Sequence, residues 1–228
     1  MADALTVEEK RALLDQPNTC YPVELRNRLI LSMPLKVGLC LSELTSLRWN
    51  QVDLNMGRIT IHGNNRMTNR SLKIPDDTLE LMAQWYEQQQ REWEKRACRY
   101  NPVDEPTGCV FTTLRGKKVK RPYIRNMIER NASGASIERT VNYQTLRRTF
   151  AWELYQETKN WHSVRRKLGH EKVITTVMFL FGEISRRCVL PDRISSGGDS
   201  ALPFPADSQA FSTPLLKGMD KQSISVPQ

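Results

Sequence analysis

The chain has 228 residues, 39% of them apolar, which is enough to bury a sizeable core in one domain or two small ones. Its 34 Lys and Arg outnumber 25 Asp and Glu, and the formal net charge of +9 favours a polyanionic partner, nucleic acid ahead of an anionic membrane. Five scattered cysteines without a CxxC pair argue against a zinc ribbon or a disulfide scaffold, and the lack of any long apolar run argues against a membrane span. With Glu8, Glu9 and Lys10 where a leader would need apolar residues, the expected location is the cytoplasm, in association with the nucleoid.

In chain order, Thr6 ahead of Glu8 and Glu9 reads as the N-cap of a short helix that Pro17 and Asn18 end. Leu25, Leu29, Ile30, Met33 and Val37 recur at spacings of three and four. That predicts a helix over 23–37 with one buried face, kinked at Pro34 and stopped by Gly38. Leu44, Leu47 and Trp49 then suit a core. Arg58–His62 alternates as a strand does, Gly63-Asn64-Asn65 reads as a tight turn, and Ser71–Pro75 as the returning strand.

Thr78–Arg99 predicts a long helix with Leu79, Met82, Trp85 and Trp93 on its apolar side, followed by a loop containing Pro102 and Pro106. Val110–Thr112 reads as a short strand. The densest basic run, Arg115, Lys117, Lys118, Lys120 and Arg121, then leads into a helix over 122–131. Lys and Arg next to unsatisfied helix N-terminal amides suit phosphate groups.

The stretch 141–181 carries the chemistry. Arg147 and Arg148 stand near the start of one helix, Trp161–Leu168 forms a second, and Gly169 stops it just before His170 and another periodic run. Three short helices joined by tight turns would bring Arg147 and His170 to one surface that suits a phosphate. Beyond, residues 189–228 hold Pro191, Pro203, Pro205, Pro214 and Pro227 among serines and glycines with no sustained period. The expected organisation is a domain over 1–188 and a tail over 189–228 that is disordered or docks on a neighbouring subunit.

These motifs resemble the tyrosine recombinases of the phage integrase family. Leu146-Arg147-Arg148-Thr149-Phe150-Ala151, Leu168-Gly169-His170 and Thr175-Thr176-Val177-Met178-Phe179 are similar to that family's second box, in order and spacing. Gly38-Leu39, Glu43-Leu44, Leu47 and Trp49 are similar to its first box, with Asp53 at the start of the sheet. The resemblance covers residues 5–187. It implies an α+β, mostly helical catalytic-type domain with a small antiparallel sheet and no core-binding domain in front.

The resemblance also implies a chemistry. A tyrosine oxygen attacks a DNA phosphodiester, arginines and histidine-type donors neutralise the phosphorane, and a hairpin lysine assists the leaving oxygen, without metal or cofactor. Arg147 and His170 stand at retained positions, whereas Cys40 replaces the first arginine, Gln144 the first histidine, and Phe179 the tyrosine. Arg148 stands where histidine is commoner. The hairpin offers Arg66, with Arg70 and Lys73 beyond it, but no securely placed lysine; arginine holds its proton too tightly for acid catalysis and suits a phosphate grip.

The implied function is binding of double-stranded DNA without cleavage, as an accessory, architectural or regulatory factor in recombination or integration. Partners would be DNA and either further copies of the chain or an active recombinase subunit. Two other readings stand beside it. One is an active recombinase using a partner's tyrosine or a hydroxyl or thiol such as Thr175, Ser185 or Cys188; the other is a protein-interaction remnant that does not touch DNA.

Overall fold

A computed structural model describes residues 4–63, 68–97 and 108–181. Asn64 and Asn65 of the tight turn expected at 63–65, Arg66, the loop with Pro102 and Pro106, and the tail over 189–228 lie outside the described residues. Helix α1, Val7–Asp15, begins as the sequence indicates. Thr6 Oγ1 accepts from the Glu9 amide at 3.2 Å, while Glu9 Oε2 accepts from the Thr6 amide at 2.7 Å, so two otherwise unpaired donors are satisfied reciprocally.

The centre of the molecule is α2, Pro22–Ser32, and the π-helical turn Met33–Val37 that continues it. The spacing predicted one buried face, but from Leu25 to Leu39 every residue except Arg28 and Lys36 is buried. The chain is therefore packed on all sides here, which the polar residues Arg26 and Asn27 hide from a periodicity reading. Arg26 is accommodated by donating to the Thr112 carbonyl at 3.0 Å and the Tyr123 hydroxyl at 2.7 Å. The expected kink takes the form of a widened turn: Pro34 has no amide to donate, and the Gly38 amide reaches back to the Met33 carbonyl at 3.0 Å. Gly38 ends the segment at φ +78°, and a Cβ there would lie 2.4 Å from Cε1 of Phe150. Only glycine permits both the turn and the approach of the helix that carries Phe150.

Helix α3, Leu41–Ser46, leads into a three-stranded antiparallel sheet in the order β1-β2-β3, formed by Val52–Asp53, Arg58–Ile61 and Arg70–Lys73. Ile59, Ile61 and Leu72 point into the core, and the register pairs Ile61 with Arg70 at the end of the hairpin where β2 leaves and β3 begins. Helix α4, Asp76–Ala97, buries Met82 and Trp85. The strand expected at 110–112 is only a pair of isolated bridges, Arg48 with Cys109 and Thr112 with Lys118. Side chains compete for its backbone groups: Trp85 Nε1 donates to the Val110 carbonyl at 2.7 Å and Gln89 Nε2 to the Cys109 carbonyl at 3.2 Å. The basic run after it is a tight turn held by Thr113 and Lys117 through a 2.7 Å backbone hydrogen bond.

Helices α5 (Arg121–Gly134), α6 (Tyr143–Thr158), α7 (Trp161–Leu168) and α8 (Val173–Phe181) complete the fold. Asn142 and Asn160 cap α6 and α7 through their side-chain oxygens, and Gly169 closes α7 at φ +74°. Leu168, Val164, Phe150 and Leu180 form the small core that binds α6, α7 and α8 together. Among the described residues no helix is long and apolar enough to cross a membrane.

Candidate phosphate-binding site

The C-terminal end of α7 is the focus of the site. A helix ends with carbonyls that lack intrahelical partners and carry partial negative charge, so cations gather there. Arg147 comes from α6 and is only 3% exposed; its Nη2 donates to the Leu168 carbonyl at 2.6 Å and its Nε to the Gly38 carbonyl at 2.9 Å. The sequence placed Arg147 on a surface, but the structure buries it as a strut between α7 and the π turn. Two of the five N–H donors a guanidinium carries are thus spent on backbone carbonyls.

Gly169 turns the chain so that His170 follows α7 directly. His170 is 6% exposed, and its Nδ1 lies 3.0 Å from the Thr176 hydroxyl on α8. Phe179, one turn further along α8, puts its ring among the basic groups: 5.5 Å from the Arg147 guanidinium carbon, 5.6 Å from that of Arg148, and 5.6 Å from the His170 ring in an edge-on arrangement. Arg148 Nε also donates to the Phe179 carbonyl at 3.0 Å. Three of the candidate residues thus meet at the ring of a fourth. Gln144, by contrast, is exposed.

Cys40 is half-buried at the start of α3, where its amide donates to Glu43 Oε2 at 2.8 Å. Glu43 receives a two-pronged contact from Arg70, Nη1 to Oε1 at 2.7 Å and Nη2 to Oε2 at 2.8 Å, while Arg70 Nε donates to the Lys167 carbonyl at 2.9 Å. Arg70, expected as an outward phosphate contact, therefore lies inside, with its side chain 6% exposed. Nothing in the spacing of Glu43 and Arg70 announces this pair. Burial alone would raise the Glu43 carboxyl, but the Arg70 fork, the Cys40 amide and the Arg147 charge outweigh it and hold the group below the usual carboxylate range.

The remaining basic candidates sit elsewhere. Lys73 is exposed at the end of β3, and Arg115, Lys117, Lys118, Lys120 and Arg121 are all exposed on the turn before α5 and at its first residue. Among the described residues none of these side chains is in an ion pair, so their charge is available to a partner. No group of His, Cys, Asp and Glu able to hold a metal occurs among the described residues.

Burial, then the charges of Arg147 and Arg70, push His170 from an ordinary 6.5 down to about 4. Between those values the unfolded chain takes up a proton that the folded chain refuses, so stability falls as the pH falls. By pH 5 the loss is expected to reach about 2 kcal/mol. His170→Gln should flatten that fall when unfolding free energies in urea are compared between pH 7 and 5.

A mostly helical domain over a small antiparallel sheet, with Arg147 and Arg148 of α6 and His170 of the α7–α8 turn converging on Phe179 of α8, matches the fold of the tyrosine-recombinase catalytic domains. The chain belongs to the phage integrase family, whose signature matches residues 3–180. It is 27% identical over 179 residues to the tyrosine recombinase XerD of Staphylococcus saprophyticus subsp. saprophyticus, covering 78% of this chain and 58% of that protein. It is 28% identical over the same length to XerD of Staphylococcus aureus. The chain therefore spans 58% of the length of these curated relatives. Among solved structures, XerA recombinase superposes with a TM-score of 0.66 at 19% identity, over 84% of this chain and 66% of that one. XerH site-specific recombinase bound to its difH substrate, in a pre-cleavage complex, superposes with 0.65 at 22% identity, over 82% and 53%. At these identities the structures show a shared fold.

Proposed function

We propose that the chain binds double-stranded DNA through a recombinase-type phosphate site, does not cut it, and serves recombination or integration as an accessory, architectural or regulatory factor. The reading rests first on the ring of Phe179, which lies among Arg147, Arg148 and His170 and offers no oxygen. Losing one group that stabilises an oxyanion typically costs about 10²–10³ in rate, as at Cys40. Losing the attacking atom closes the covalent route altogether. The second loss decides the outcome.

Support for DNA as the partner comes from the net charge of +9 and from the unpaired basic turn before α5. The XerH structure, with its bound difH substrate, is the precedent on a similar fold. The chain would act from the nucleoid, with residues 1–188 as the DNA-binding domain, 189–228 as a segment that docks on another subunit, and an active recombinase or a further copy as that subunit.

Binding to a duplex should weaken steeply with salt, each neutralised phosphate contributing about −0.9 to the slope of log affinity against log salt. Lys117→Ala and Lys118→Ala should each reduce the slope by about that amount if the turn grips the backbone. A flat salt dependence would overturn the proposal.

A further inference from the structure

We propose that Arg70 stands in for the arginine missing at position 40: it neutralises Glu43 and so keeps the charge of Arg147 available for a DNA phosphodiester. This rests on the phosphate-site reading above and assigns a positioning role to a residue of β3 outside the two boxes. The two guanidiniums converge on one helix end. Arg147 donates to the carbonyl of Leu168 and Arg70 to that of Lys167, successive residues in the last turn of α7. Arg70 lies so close to Gly169 that a Cβ there would come within 2.3 Å of its Nη1.

Arg70 grips Glu43 directly, and the charge of Arg147 is near enough to help hold its carboxyl below the usual range. Were Arg70 absent, the Glu43 carboxylate would face Arg147 alone and cancel it. With Arg70 present, the Glu43 carboxylate is offset by its own partner, and the charge of Arg147 is left for the negative charge of a phosphodiester. Position 40 is where a replacement would have to start. The Cys40 backbone already touches Glu43, its amide donating to the Glu43 carboxylate. The sequence has exchanged one source of charge for another across the hairpin. The fork geometry also explains why arginine serves here: a lysine ammonium cannot make two parallel bonds to a carboxylate.

The experiment compares the full chain with Arg70→Ala, Arg70→Lys and the double variant Cys40→Arg/Arg70→Ala, reading duplex affinity, its salt slope and the His170 titration by NMR. Arg70→Ala should lose roughly ten- to a hundredfold in affinity and about 0.9 of the salt slope, and His170 should titrate closer to 6.5 once a neighbouring positive charge is gone. The double variant should recover all three readings, because an arginine at 40 reaches Glu43 directly. If Arg70 only latches β3 to α7, the single variant loses stability without a change in slope, and an arginine at 40 rescues nothing; either result overturns the proposal. Should Arg70→Ala not fold, recovery of fold and binding in the double variant decides for the proposal and failure to recover decides against it. A native chain with no salt-dependent binding would instead fail the phosphate-site reading, and the His170 titration would still test the charge exchange.

Discussion

Replacing Arg147 with Ala is expected to lower the free energy of unfolding by about 2–6 kcal/mol, because the buried carbonyls of Gly38 and Leu168 lose their donors at about 1–3 kcal/mol each. Both carbonyls belong to segment ends, so neither can recover a partner within its own helix. The lost side chain also opens a space between α6, α7 and the π turn. Urea unfolding should show a lower midpoint with an unchanged slope, the signature of a destabilised chain with the same folded and unfolded surfaces. Arg147→Lys should lose less, since one ammonium can satisfy one of the two carbonyls. A stable Arg147→Ala chain would mean that the strut role is wrong and that the arginine serves the ligand alone. The same burial means that loss of DNA binding in this variant would not by itself identify a phosphate contact.

How much of this was legible in the sequence depends on how local the signal is. The order of α6, α7 and α8 could be read because stops are neighbours in the chain: Gly169 ends one helix just before the next periodic run, whereas the Asn142 and Asn160 caps emerged only with the structure. The hairpin could be read from its alternation. The all-round burial of α2 could not, because Arg26 and Asn27 look solvated until Tyr123 and Thr112 are brought to them by the fold. The strand expected at 110–112 was lost to side chains of α4 that no pattern within that segment records. The pairing of Glu43 with Arg70 depends on where β3 meets α7, a matter of tertiary register. Motif comparison singled out Arg147, His170 and Phe179, but only the packing shows that the Phe179 ring lies beside Arg147, Arg148 and His170.

That packing makes the second large effect concrete. Phe179→Tyr adds a hydroxyl to a ring already set beside two guanidiniums and an imidazole, so the nucleophile would arrive in a basic surrounding that favours its ionised form. Combined with Cys40→Arg, which returns an arginine to the position where the family carries its first one, the variant is expected to regain measurable strand cleavage, a gain of many orders of magnitude over a chain with no attacking oxygen. Cleavage would remain slow, because Gln144 is exposed and cannot shuttle a proton.

The decisive measurement is covalent trapping on a nicked duplex, run with the native sequence and with Phe179→Tyr/Cys40→Arg side by side. The native chain should bind the duplex in a salt-dependent way and form no protein–DNA adduct, whereas the double variant should form one through residue 179. An adduct with the native chain, its attachment point found by mass spectrometry on a residue such as Thr175, Ser185 or Cys188, would contradict the account at its centre.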